Sequence, residues 1–186
     1  SAMFFNPMDG KSGKALLREE KGKTEVYMQL KPGESVVLKT FVHHDVVVPE
    51  WMYFRDSGKE HRLTNGWSLE FMESEPAIRG IFGIDSLISW TEIGEERAKR
   101  NTGTARYRAK FTINKVPGKE YLLNLGDVRE SACVYVNGKE VATLFAVPFA
   151  TRIGSYLNNG ENLLEVDVTN LPANRISDYD RRGVQW

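Results

Sequence analysis

The chain is poor in the features that most directly identify a partner or a chemistry. It contains one cysteine, Cys133, so no internal disulfide can form, and a single thiol cannot hold a metal alone. Lysine plus arginine and aspartate plus glutamate number 25 each, so no overall field attracts nucleic acid or an anionic membrane. No apolar run approaches the roughly 18 to 20 residues that cross a bilayer. These absences predict neither a nucleic-acid partner nor membrane insertion.

Patterns that carry catalysis or metal binding are also missing. Neither Ser89 nor Ser131 lies in a nucleophile-elbow phrase, and no phosphate-binding glycine loop or zinc spacing occurs. His43 and His44 are adjacent, so on a strand their imidazoles would point to opposite faces. We expect solvated charges where carboxylates are paired in loop-like sequence, at Glu19/Glu20, Glu73/Glu75 and Glu95/Glu96. The residues predict no catalytic group, metal or cofactor, and leave open whether a loop binds a structural calcium ion.

Alternation of polar and apolar residues is the strongest positive signal. From Thr104 to Ile113 every second residue is apolar, which predicts a strand with one dry and one wet face. The same period recurs at residues 121–125 and 164–169. Asn137-Gly138 stands between two apolar runs and predicts a hairpin, because a type I′ turn needs positive φ at both central residues.

The remaining chain also favours short strands and turns. Strands are predicted at residues 24–30, 35–42 and 67–72, with weaker signals at 46–54 and 84–90. The nearest helical candidate, residues 92–100, contains Gly94 and many charges, so it predicts only a turn or two in a loop. Residues 10–23 predict a mobile connection or a hairpin loop. The pattern indicates an all-β fold, an antiparallel β-sandwich or jelly roll with one sheet stacked on another.

Several phrases in the second half of the chain resemble a known domain. They include Leu87–Glu92, Gly103–Arg108, Leu123–Val128, Ala132–Lys139 and Val168–Ile176, in the expected order. Together they resemble the galactose-binding-like jelly-roll domain near the C-terminus of large bacterial glycoside hydrolases. The similarity points most to the family-106 α-L-rhamnosidases, with the sugar-binding domain of family-2 β-glycosidases as a broader relative. It is strong from about residue 85 onward and weaker before.

The resemblance implies a division of labour within a longer protein. Residues 1–45 would be a leading β segment or linker from an upstream catalytic module, and residues 46–186 the galactose-binding-like domain. The catalytic carboxylates of the family lie in a preceding barrel to which nothing here corresponds, so this piece is expected to be non-catalytic and its parent a glycoside hydrolase. The implied partners are that upstream barrel and a plant or bacterial polysaccharide, and the implied location is periplasmic, secreted or cell-surface.

The two ends of the chain fit this expectation. Ser1-Ala2 before Met3 is typical of a cloning remnant, and the sequence stops at Trp186 where similar domains continue. We therefore expect a piece of a longer protein, with a final strand or tail missing.

Two groups of residues are candidate carbohydrate contacts. Asn170, Asn174, Arg175 and Asp178 follow the last clear strand into a segment predicted to be irregular, where they could bond sugar hydroxyls or support a metal. The alternative is that they cap turns and pin the loop. Trp90 stands beside Thr91 at a strand-to-loop transition and could stack on a sugar ring or belong to the core. The other large aromatics have the same two readings; Trp67 is expected in the core, and Trp51, Trp186 and Tyr53 stay open.

Three functions follow from these observations. The first is a non-catalytic accessory β-sandwich domain of a glycoside hydrolase, packed on the catalytic module and contributing to carbohydrate binding. The second is an autonomous carbohydrate-binding module. The third, a stand-alone hydrolase, has only an analogy of fold behind it, and a fold does not carry a function.

Overall fold

The computed structural model describes residues 1–185. The chain divides into two compact units, residues 1–60 and residues 61 onward. The resemblance places the start of the galactose-binding-like domain at residue 46, which stays a prediction.

The first unit consists of short antiparallel strands. The strands are β1 (Ala2–Phe5), β2 (Ser12–Lys14), β3 (Leu17–Glu20), β4 (Lys23–Val26) and β5 (Val37–Thr40). In the three-stranded sheet β1 lies between β2 and β5, and β3 pairs with β4 in a separate hairpin. The strands predicted at residues 24–30 and 35–42 are present but shorter, whereas residues 46–54 contribute only a single bridge at Glu50.

The core of the first unit is small. Ala2, Phe4 and Ala15 are buried, and the rings of Phe4 and Trp51 meet edge to face with centroids 5.5 Å apart. Tyr53 donates a hydrogen bond from its hydroxyl to the carbonyl of Tyr27 and accepts one from the amide of Leu16. Trp51 and Tyr53 therefore pack within this unit.

A six-stranded antiparallel sheet forms the main layer of the second unit. Its spatial order interleaves distant parts of the chain, so strands far apart in sequence become neighbours. In that order the strands are β11 (Lys139–Leu144), β10 (Ser131–Val136), β13 (Gly160–Thr169), β8 (Thr102–Ile113), β6 (Trp67–Glu75) and β7 (Ile81–Ile84).

The predicted alternation in β8 is confirmed. Ala105, Tyr107 and Ala109 are buried on the inner face. On the outer face the Arg106 guanidinium donates to Asp167 at 2.7 Å, and Arg108 donates to Glu165 at 2.9 Å. The outer face of the sheet is thus a ladder of ion pairs between neighbouring strands, which explains why a half-exposed face tolerates several arginines.

The predicted hairpin at Asn137-Gly138 is also confirmed. The φ angles are 53° at Asn137 and 75° at Gly138, in the left-handed region that the tight turn requires. The Asn137 side chain donates to the carbonyl of Tyr156 and to the Asn162 Oδ1, both at 2.9 Å, so it also ties the hairpin to the rest of the unit.

A second, less regular layer covers the inner face of this sheet. It contains a two-stranded sheet of β9 (Leu122–Asn124) and β12 (Ala150–Arg152), and two short 3₁₀ turns at Trp90–Glu92 and Ala98–Arg100. Buried residues from both layers, among them Val134 and Phe149, share one core. The predicted class, an all-β antiparallel sandwich, is confirmed, and the candidate helix at 92–100 is indeed only short turns.

The segment after β13 differs from the prediction. Residues expected to be irregular form helix α1 (Ala173–Arg182). Pro172 precedes the helix, and Gly183 follows with φ of 65° and donates its amide to the Asp180 carbonyl, as in helix ends that close on a left-handed residue. Neither α1 nor any other described helix is long and apolar enough to cross a membrane.

Candidate functional site

A cleft of about 500 Å³ opens on the inner side of the six-stranded sheet in the second unit. It lies between the segment that leads into the first 3₁₀ turn and the loop that follows β9. Its floor consists of inward-facing side chains of the sheet, Trp67, Tyr107, Val166 and Val168. Its volume lies within the roughly 300–1,000 Å³ typical of small-molecule sites.

The walls of the cleft mix apolar and polar groups. One wall is formed by residues 87–91 and the other by Leu125 and residues 127–129, while Asn170 and Asn174 lie at the end next to α1. Hydroxyls, an amide and an ion pair above an apolar floor resemble the composition by which proteins fix the orientation of a small ligand.

Trp90 lines the cleft from the core. Only 5% of its surface is exposed, and its ring centroid lies 5.7 Å from that of Phe71. Ser89 caps the 3₁₀ turn that begins at Trp90, since its hydroxyl accepts a hydrogen bond from the Thr91 amide at 3.3 Å. The indole therefore belongs to the sandwich core and contributes to the cleft wall, rather than standing free as a stacking platform.

Tyr107 on the floor is fixed in the same way. Its hydroxyl donates to the Ile88 carbonyl at 3.2 Å, which ties β8 to one wall of the cleft. Burial raises the pKa of Tyr107 to about 12, so the phenol is neutral at physiological pH. It supplies an apolar surface to the cleft and no charge.

Asn170 has both ends of its amide engaged. Its oxygen accepts from the Gly103 amide and its nitrogen donates to the Asn101 carbonyl, each at 3.0 Å. Asn170 thus clamps the end of β13 to the start of β8. Asn174, in the first turn of α1, is half-buried, lines the cleft and makes no side-chain hydrogen bond to another described residue. Of the two amides, that of Asn174 is the one available to a ligand.

Arg175 and Asp178 do not line the cleft. Arg175 bonds to Glu75 at 2.7 Å, and its guanidinium lies 4.4 Å from the centroid of the Tyr179 ring. Asp178 is buried and lies 3.0 Å from Arg182 and 3.5 Å from Arg100. The contacts with Glu75 and Arg100 anchor α1 to the rest of the second unit.

The structure thus brings together three of the five predicted site residues, Trp90, Asn170 and Asn174, and places Arg175 and Asp178 apart from them. Whether any of the five contacts carbohydrate stays a prediction. Trp186, another aromatic candidate, lies outside the described residues. Among residues 1–185 no three His, Cys, Asp or Glu side chains converge as metal ligands would.

Sequence reasoning missed the loop after β9 as part of the site. Asp127 and Arg129 form an ion pair there, with the guanidinium donating at 2.9 Å and 2.7 Å to the two carboxylate oxygens. The hydrogen bonds from Arg129 hold the pKa of Asp127 below its ordinary value. The turn signal Gly126-Asp127 marks a loop, but nothing local shows that this loop faces residues 87–91.

Comparison with known proteins connects the chain to glycoside hydrolases. No protein-family profile matches it. A provisionally named β-glucuronidase from Formosa agariphila is 35% identical in an alignment of 131 positions, which covers 65% of this chain and 11% of that protein. The structure of a rhamnosidase from Novosphingobium sp. PP1Y matches with a TM-score of 0.80 and 25% identity, over 99% of this chain and 17% of that one.

A more distant structural match supports the fold. A β-glucuronidase from an uncultured Clostridium species has a TM-score of 0.52 at 22% identity, over 64% of this chain and 24% of that one. The chain therefore spans only a small part of each relative. Its β-sandwich is similar to β domains found within glycoside hydrolases.

Proposed function

We propose that the chain is a non-catalytic accessory β-sandwich domain of a bacterial, α-L-rhamnosidase-like glycoside hydrolase. In this proposal it packs on the catalytic module of the same polypeptide and binds carbohydrate in the cleft. In this proposal its location is the periplasm, the cell surface or the medium, where polysaccharide substrates occur. The main support is the rhamnosidase match, which extends over 99% of this chain and only 17% of the enzyme.

The cleft itself argues against bond cleavage. Glycosidase chemistry needs two carboxyl groups about 5 to 9.5 Å apart on either side of the scissile bond. Among the described residues that line the cleft, the single carboxylate is Asp127, and Arg129 already neutralises it. Asp127 therefore lacks the second carboxyl group that either glycosidase mechanism requires.

The first unit supplies the surface for packing on a catalytic module. Ten large apolar side chains are exposed in residues 1–60, against nine in residues 61–185, which is about twice the length. Val47 is fully exposed and Val42 is 86% exposed. In this proposal the catalytic module covers part of this apolar surface.

Substitution of Val47 should test this packing. We expect Val47→Asp to weaken the complex between the chain and the separately produced catalytic module of its parent by about tenfold or more, because burial of a valine contributes about 1.5 kcal/mol or more. Analytical ultracentrifugation or calorimetry measures the dissociation constant. Val116→Asp makes the same change at a half-exposed valine of the second unit and should leave the dissociation constant unchanged. Equal weakening by both variants, or by neither, would contradict the proposed docking surface.

The second candidate function is an autonomous carbohydrate-binding module. The cleft favours it, because a polar-rimmed apolar site could bind a sugar without a catalytic module. The two candidates differ in docking: an autonomous module would form no complex with the remainder of its parent, whereas an accessory domain would.

A further inference from the structure

The charge of the cleft is balanced by a single pair of side chains. Among the described residues that line it, Asp127 and Arg129 alone are ionisable to a full charge at neutral pH. They face each other through two hydrogen bonds of 2.9 Å and 2.7 Å. Because Arg129 holds the pKa of Asp127 low, the carboxylate stays ionised and the pair stays neutral in total.

The other polar groups of the cleft are uncharged. The Ser89 and Thr91 hydroxyls lie 2.8 Å apart on one wall, and the Asn174 amide lies at the end of the cleft. Hydroxyls and amides both donate and accept, so they suit sugar hydroxyls, which do the same. The floor below them is apolar and offers no partner to an anion.

A ligand carboxylate would be poorly placed in such a cleft. Transfer of an ionised group to an apolar site is unfavourable unless an opposite charge meets it. The available cation, Arg129, already donates two N–H groups to Asp127. An acidic sugar could bind only the Arg129 N–H groups that Asp127 leaves free, and it would feel repulsion from that carboxylate.

We infer that the cleft selects a neutral sugar and discriminates against a uronic acid. This inference rests on the proposed carbohydrate binding and specifies its substrate class. The inferred ligand therefore differs from the glucuronic acid that the name of the β-glucuronidase from Formosa agariphila suggests. Asp127 is then a specificity-determining residue, because it masks the positive charge that an acidic sugar needs.

Three methyl glycosides test the inference on the isotope-labelled chain by NMR titration. Methyl β-D-glucoside and methyl β-D-glucuronide differ only at C6, which is a hydroxymethyl group in the first and a carboxylate in the second, and methyl α-L-rhamnoside provides a second neutral sugar. We expect a neutral glycoside to bind at least about fivefold more tightly than the glucuronide, with shifts at Thr91 and Asn174. Asp127→Asn should increase the affinity for the glucuronide relative to that for the neutral glycosides by up to about fivefold, the range of one exposed ion pair. Asp9→Asn removes an ion pair with Lys11 in the first unit, which also joins residues two apart, and it should change the affinity for neither kind of glycoside.

The outcomes separate the inference from the proposal beneath it. If the glucuronide binds as tightly as the neutral sugars, or if Asp127→Asn leaves the preference unchanged, charge masking is wrong while carbohydrate binding stands. If none of the three sugars shifts residues of the cleft, both the inference and the sugar-binding part of the proposed function are overturned. Docking through the first unit is independent of either result.

Discussion

We expect Gly103→Ala to destabilise the second unit by at least about 4 kcal/mol. Gly103 has a φ of 150°, and a Cβ added there would lie 2.0 Å from the Glu73 carbonyl oxygen. That oxygen belongs to β6, the strand paired with β8 at this point, so neither backbone can move without breaking the ladder. Urea unfolding followed by tryptophan fluorescence measures the loss.

Gly83→Ala is the matched control. Gly83 lies in β7 of the same sheet, its φ is not in the left-handed region, and no atom lies within 4 Å of an added Cβ. We expect a change within about 0.5 kcal/mol. A Gly103→Ala variant as stable as Gly83→Ala would show that β6 and β8 do not pair in this register.

The second large effect concerns Trp90. We expect Trp90→Ala to reduce the free energy of unfolding by about 3 to 5 kcal/mol, because it removes a buried indole that packs on Phe71 and leaves a cavity. Thermal or urea unfolding measures the change. Sugar binding lost in this variant would therefore not identify Trp90 as a contact.

Two further variants separate packing from binding at this position. Leu87→Ala changes a half-exposed side chain in the same wall of the cleft and should cost less than about 1 kcal/mol. Trp90→Phe keeps an aromatic ring in the core, so its loss in the free energy of unfolding should lie between those of Trp90→Ala and Leu87→Ala. A Trp90→Ala variant with unchanged stability would mean that the indole stands in solvent, as a stacking platform would.

Local patterns predicted the main sheet well. The period of two in β8 is a property of consecutive residues, so it can be read without knowledge of the partners. The Asn137-Gly138 turn is equally local, because the φ angles that it requires depend on those two residues alone. Both features are set by short-range sterics, and both are confirmed.

Helix α1 was missed because its stabilisation is not apolar. Its sequence, Ala173–Arg182, is dominated by polar and charged residues, so Ala173, Ile176 and Tyr179 form only a narrow apolar stripe. The helix is anchored by contacts of Arg175 with Glu75 and of Asp178 with Arg100, which join residues far apart in the chain. Pro172 and Gly183 were the available local signals, and they mark the helix ends correctly.

The cleft could not be assembled from the sequence. Its walls come from segments near residues 89, 127 and 174, which the strand order brings together. The resemblance quoted both Leu87–Glu92 and Leu123–Val128, but as phrases of a domain and not as two sides of one site. Trp90 was identified as a candidate, whereas Asp127 entered only as part of the phrase Leu123–Val128 and Arg129 was not singled out, although the two set the charge of the cleft.

Turnover of chromogenic substrates tests the claim on which the proposed function depends, that this sandwich does not cleave glycosides. The purified chain is incubated with 4-nitrophenyl α-L-rhamnoside and 4-nitrophenyl β-D-glucuronide, and nitrophenol release is followed by absorbance. We expect a rate equal to that of buffer alone at every concentration of the chain. Release that rises in proportion to the chain and disappears in Asp127→Asn would contradict it.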